Sequence, residues 1–190
     1  MQTRRQALLG IGALGAATVL AGCSSGGSLN SGESVDGSVN DAIRLMHDRL
    51  PFTRQIQDRA AGMLIMPGIV KAGFIVGASY GEGALRLKAD GYRNTADYYS
   101  FGAGSVGYQA GLQKTAHALF FMTQGALAKF RASQGWEIGA DAEVTVLDTG
   151  VKADLNTTQA QKPVLAVVFS QAGLLAGASL EGAKYTRIRP

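Results

Sequence analysis

The chain is 190 residues long, with 18 Lys or Arg against 14 Asp or Glu, 26 glycines and one cysteine. A single cysteine excludes a disulfide within the chain, and one cysteine with two distant histidines gives no ligand spacing for a metal. A formal charge of +4 is too mild to argue for nucleic acid.

Met1 to Gln6 form a short positive region carrying Arg4 and Arg5, and Ala7 to Leu20 form an apolar stretch ending in small residues. This is the layout of a secretory signal, and the stretch falls short of the roughly 20 residues that a spanning helix needs. Leu20-Ala21-Gly22-Cys23 resembles the bacterial lipobox, which implies cleavage before Cys23 and a diacylglyceryl thioether plus an N-acyl chain such as palmitate on that residue. Thr3-Arg4-Arg5-Gln6-Ala7-Leu8-Leu9 also resembles a twin-arginine export signal, and general secretory export stays open beside it. Three acyl chains, at about 0.8 kcal/mol per buried methylene, make a permanent anchor. Ser24, where an aspartate would signal inner-membrane retention, favours an outer membrane, periplasm-facing address in a Gram-negative host. Removing residues 1–22 takes away two arginines and no acid, leaving 16 basic and 14 acidic residues.

Residues 23–38 then read as the lipidated cysteine and a flexible tether, because Ser24 to Ser38 is two-thirds Gly and Ser. From 39 to 190 the chain reads as one domain of about 150 residues, enough for a real core. Val39, Ile43, Met46 and Leu50 recur at helical spacing with Ser38 placed to cap and Pro51 to stop, and Thr53 to Ala61 offers a second helix ended by Gly62.

Beyond Gly62 short apolar runs broken by glycine read as strands. These are Met63–Met66, Phe74–Tyr80, Ala84–Lys88, Ser105–Leu112, Ala116–Met122, Ala140–Leu147, Val164–Ser170 and Leu174–Leu180, with one further helix at Gln124–Ala132. The expected class is α+β, mainly β: a strongly curved antiparallel sheet, barrel or sandwich, with N-terminal helices and one more.

Two motifs look chemical. Gly77-Ala78-Ser79-Tyr80-Gly81 matches G-x-S-x-G, but alternation resumes after it where a nucleophile elbow needs a helix, and no histidine follows His117 to complete a triad. Gly102-Ala103-Gly104-Ser105-Val106-Gly107 matches G-x-G-x-x-G without the acidic residue expected about 20 positions on. No catalytic constellation, cofactor motif or metal site remains, so the expectation is a protein that is not an enzyme, with a Ser79-dependent hydrolase as a minor alternative.

Three glycine-rich blocks occur in order. The first runs Ala60-Ala61-Gly62-Met63-Leu64-Ile65-Met66-Pro67-Gly68-Ile69-Val70-Lys71-Ala72-Gly73-Phe74-Ile75-Val76-Gly77 and continues through Tyr80-Gly81-Glu82-Gly83. The second is Gly104-Ser105-Val106-Gly107-Tyr108-Gln109-Ala110-Gly111, and the third runs from Phe169-Ser170-Gln171-Ala172-Gly173 to Leu180-Glu181-Gly182. Together they resemble the SYLF domain, a lipid-binding module of bacteria and eukaryotes, over roughly Val39 to Ile188. Tyr98-Tyr99-Ser100-Phe101 departs from the family's usual Trp-Ser-Pro there.

Eukaryotic members of that family bind phosphoinositides, and some bind or bundle actin. The resemblance therefore implies affinity for membrane phospholipid with an anionic head group, with any protein partner open. Candidate phosphate contacts are Lys71, which lies in the family block, and Arg86 and Lys88, which alternate along one expected strand face. Arg44, Arg49, Arg54 and Arg59 join them, although a spacing of five turns each about 140° from the last on a helix. A solvated face balanced by Asp41, Asp48 and Asp58 is the competing reading of these arginines. A protein-interaction scaffold is the competing reading of the whole domain.

Overall fold

A computed structural model of the chain describes residues 31–73, 76–106, 111–147, 162–170, 173–174, 180 and 182–189. The signal region, Cys23 and the first part of the expected tether lie outside these residues.

Helix α1 spans Gly32–Arg49, beginning seven residues before the expected start. Ser31 caps it, its side chain accepting from the Ser34 amide. The early start has a packing reason: Val35 extends the stripe Val39, Ala42, Met46 by one turn, and all four are buried against the sheet. That burial outweighs the poor helix propensity of Gly32 and Gly37. Residues 32–38 are thus helix rather than tether. Helix α2, Thr53–Arg59, follows the turn at Pro51 and buries Thr53 and Ile56.

Four long strands come next where shorter runs were expected: β1 Gly62–Gly73, β2 Val76–Leu87, β3 Thr95–Val106 and β4 Gly111–Phe121. Glycines that read as breaks lie inside them. At Gly83 an added Cβ would sit 2.0 Å from the Ile65 carbonyl oxygen, so β1 and β2 approach there only because the side chain is absent. The approach accompanies a bulge in β1, where Pro67 and Gly68 interrupt the register between Met66 and Ile69. Pro67 needs no ladder partner there. The extra residue flips the alternation, so Met63 and Ile65 share a face with Val70 rather than with Ile69.

Helix α3, Gln124–Ala132, matches its expected bounds, with Thr123 capping the Ala126 amide. Strands β5 Trp136–Glu137, β6 Thr145–Leu147, β7 Val164–Ser170, β8 Gly173–Leu174 and β9 Lys184–Ile188 complete the order. The hydrogen-bonded sequence is β5-β9-β3-β2-β1-β4-β7-β6, with β8 on β7, and every pair is antiparallel except β6 with β7. The mainly-β class with N-terminal helices and one further helix therefore holds. Of the two closures considered, the single sheet follows the barrel path only halfway, curling into a half-barrel.

Two cores use the two faces of this sheet. On one, α1 and α2 cover Met63, Ile65, Ala84, Ala118, Phe120 and Val167. On the other, α3 supplies Leu127 and Phe130 to an aromatic cluster of Tyr99, Phe101, Phe121, Trp136 and Tyr185.

Candidate functional site

α1 is narrower than the sheet it covers, and a groove of about 1030 Å³ opens along its flank. Ser34, Ser38, Asp41, Leu45 and Arg49 form the helix wall at successive turns. The opposite wall is the β1 bulge, Pro67, Gly68 and Val70, continued by Glu82 on β2 and Lys114 on β4. Lys114 stands opposite Val70 in the register, and its stem lies over Gly68, 3.0 Å from where a Cβ would be.

The chemistry of the groove is mixed. Arg49 and Lys114 are exposed cations, while Leu45 and Val70 add apolar surface over the buried Val35, Ala42 and Phe169. Asp41 is bound to Arg44 on the solvent side. Glu82 is buried and accepts a 2.7 Å hydrogen bond from the Tyr80 hydroxyl. Burial, followed by that bond and the carboxylate charge, pushes the Tyr80 phenol up to about 12, so it remains a donor at neutral pH.

Of the seven expected phosphate contacts, only Arg49 lines this groove. Arg44 is tied to Asp41, Arg54 lies 3.5 Å from Asp48, and Arg59 is exposed on α2. Lys71 follows Val70 on β1 and so points to the other side of the sheet. Arg86 and Lys88 do not share a strand face, because β2 ends at Leu87 and Lys88 enters a 3₁₀ turn, Lys88–Asp90, where it donates to the Asp58 carbonyl. Arg86 is only 4 % exposed and donates to the carbonyls of Tyr92 and Arg93, beside the Asp36 carboxylate at 3.4 Å. Its role is to hold β2 to the following turn and to α1.

Lys114 was missed because Gln113-Lys114-Thr115 fell between the expected strands Ser105–Leu112 and Ala116–Met122, where β4 in fact runs unbroken from Gly111 to Phe121. The signal was the alternation Lys114, Ala116, Ala118, Phe120, which sets the lysine on the face that α1 covers.

The first chemical-looking motif and residues 102–106 of the second fall within strands, and Gly107 lies outside the described residues. After Ser79 the chain continues as β2 to Leu87, and Gly102 and Gly104 lie inside β3. His117 is buried, with Nε2 2.7 Å from the Tyr185 hydroxyl, and burial pushes its pKa down to about 3. Among the described residues no group of three His, Cys, Asp or Glu is placed to hold a metal, and no helix is long and apolar enough to cross a membrane.

Residues 102–189 match the family model Ysc84, described as Las17-binding protein actin regulator, which is the SYLF family. The match supports the SYLF resemblance over this part of the chain, less than half of its 190 residues. The SYLF match runs from within β3 through β9 and contains Lys114, Thr115, Ala116 and Phe169 of the groove. The wall formed by α1 and the bulge precedes it, joined to it through the pairing of β1 with β4 and of β2 with β3. No curated protein matches the chain.

Proposed function

We propose that this chain is a lipid-anchored envelope protein, acylated at Cys23, whose SYLF domain binds anionic phospholipid head groups and catalyses no reaction. The observation that carries the lipid reading is the groove beside α1, where Arg49 and Lys114 offer positive charge next to apolar wall. A phosphodiester meets the cations, and the adjoining glycerol and first methylenes meet Leu45 and Val70. The groove's volume suits a head group of this size. Leu20-Ala21-Gly22-Cys23 supports the anchor, and Ser24 supports the outer membrane facing the periplasm. With the anchor holding the domain near lipid, weak and selective affinity suffices.

Sedimentation with vesicles tests the reading, using an acyl-free chain that starts at Ser24 so that the Ser31 cap and all of α1 are retained. We expect binding to phosphatidylcholine vesicles that contain phosphatidylglycerol and none to phosphatidylcholine alone. Arg49→Ala and Lys114→Ala each weaken binding by about fivefold, the equivalent of about 1 kcal/mol per basic residue at an anionic surface. Equal binding to both vesicles ends the reading.

The family description names a protein partner of its members, Las17, and this favours a second reading in which the domain docks another envelope protein. Capture of one envelope protein by a chain indifferent to lipid charge supports it.

A further inference from the structure

One row of the sheet adjoins the groove and is left uncovered. The register runs Lys114 opposite Val70, Val70 opposite Tyr80, Tyr80 opposite Gly102 and Gly102 opposite Lys184, across β4, β1, β2, β3 and β9. Residues paired in this way share a face. At about 4.8 Å per strand the row is about 19 Å long. It carries Lys114 at one end, Val70 and Tyr80, each 41 % exposed, in the middle, and Lys184 at the other end, where the register continues to Glu137 on β5. Gly102, and Gly104 in the next row, have nothing within 4 Å of an added Cβ among the described residues. Glu137 stands half-buried opposite Lys184, and Glu82 is buried and accepts from the Tyr80 hydroxyl.

We propose that this row is the face that the domain lays on an anionic bilayer, an inference that rests on the phospholipid reading above. Lys114 and Lys184 reach phosphates, while Val70 and the Tyr80 ring enter the boundary between head groups and acyl chains. A surface on which Lys114 adjoins two half-exposed apolar side chains, with Lys184 opposite Glu137 beyond them, complements anionic head groups over hydrocarbon. A tyrosine suits that depth, with an apolar ring and a polar tip.

The groove opens on the same face, because Val70 and Lys114 belong to both. One bilayer therefore contacts the row while one of its lipids occupies the groove. Chain length agrees: eight Cα-to-Cα steps separate Cys23 from Ser31, at most about 28 Å when extended. The first turn of α1, with Ser34 and Val35, lines the groove, so an acyl anchor on Cys23 holds the bilayer within reach of this side.

The test uses the acyl-free chain from Ser24 with vesicles of phosphatidylcholine with and without phosphatidylglycerol. Lys184→Ala changes the row and spares the groove, Tyr80→Ser changes the row and also removes the hydrogen bond to Glu82 in the groove wall, and Arg49→Ala changes the groove and spares the row. We expect each row variant to bind anionic vesicles about fivefold more weakly than the parent. Fluorescence of Tyr80→Trp should be quenched by phospholipids brominated in their acyl chains, while the buried Trp136 of the parent should not. Trp136 emission also reports that each variant is folded. Row variants that bind like the parent while Arg49→Ala weakens binding overturn the face and leave the groove reading standing. A parent that does not distinguish the two vesicles overturns both. Unchanged vesicle binding with loss of a captured envelope protein on Tyr80→Ser reassigns the row to a protein contact and overturns the proposal.

Discussion

The carboxylate of Asp36 on α1 and the guanidinium of Arg86 on β2 meet at 3.4 Å across 50 residues of sequence, and the arginine side chain is almost wholly buried. Thr95 and Tyr98 on β3 donate to the same carboxylate. A single acid in the first turns of α1 thus joins the helix to two strands. Removing it leaves a buried cation whose Nε already has no hydrogen-bond partner among the described residues. Loss of one partner from a buried pair costs about 3 kcal/mol or more, with the carbonyls of Tyr92 and Arg93 offsetting part of it here. Asp36→Ala is therefore expected to lower unfolding stability by about 2–3 kcal/mol in urea titration. Arg86→Met, which removes the charge and keeps the volume, should cost less. Weaker lipid binding by Arg86 variants should then follow stability rather than direct contact.

The two histidines predict acid sensitivity. Burial lowers the His47 pKa below 6.5, outweighing the opposing bond to Gln57, and lowers that of His117 to about 3. In both cases the unfolded chain binds a proton more readily than the folded one. The stability they contribute is fully present above pH 6.5 and is lost as pH falls toward the folded value. For His117 the loss at about pH 5 is roughly 2 kcal/mol. Urea midpoints measured from neutral pH down to pH 5 should fall, and His117→Gln should flatten most of that slope. A slope unchanged in this variant contradicts the assignment. Gln can still hydrogen-bond the Tyr185 hydroxyl, so the comparison isolates titration.

Glycine separates two substitutions of the same type. At Gly83 a methyl group would lie 2.0 Å from the Ile65 carbonyl oxygen and 2.6 Å from the Met66 sulfur, so β1 and β2 must part at the bulge. Gly83→Ala is expected to destabilise by about 3 kcal/mol, at the upper end for overpacking. Gly104→Ala meets nothing within 4 Å and should unfold at the parental midpoint. Equal midpoints for the two variants would falsify the close approach.

These glycines also explain what the sequence made legible. α3 was readable to the residue because Thr123 caps it and its apolar positions are local, and β7 because it is a continuous run buried on both faces. β1 to β4 appeared as fragments because glycine was taken as punctuation. The contact that requires Gly83, with a carbonyl on a neighbouring strand, leaves no trace in local spacing. The start of α1 was hidden for a related reason: Gly32, Ser34 and Gly37 are poor helix formers, and Val35 is buried only once the sheet exists. Thr95–Phe101 and β9 went unread, since alternation mixed with Asp, Ser, Thr and Arg does not stand out. Arg49 was recoverable as a basic residue near a helix end. Lys114 required the register of β4 against Val70.

Tyr80 allows the structural and interfacial uses of one side chain to be separated. Its hydroxyl supports buried Glu82, and its ring is the exposed centre of the row. Tyr80→Phe removes only the first use. Losing one hydrogen bond to a buried carboxylate costs about 1.5–3 kcal/mol. The variant should therefore unfold at lower urea, while its binding to phosphatidylglycerol vesicles at neutral pH stays within about twofold of the parent, since the ring supplies the apolar contact. Because the phenol is pushed up to about 12, parental binding should also show no step between pH 7 and 9 attributable to Tyr80. A large loss of binding by Tyr80→Phe with unchanged stability would reverse the roles, making the hydroxyl the membrane contact and Glu82 indifferent to it.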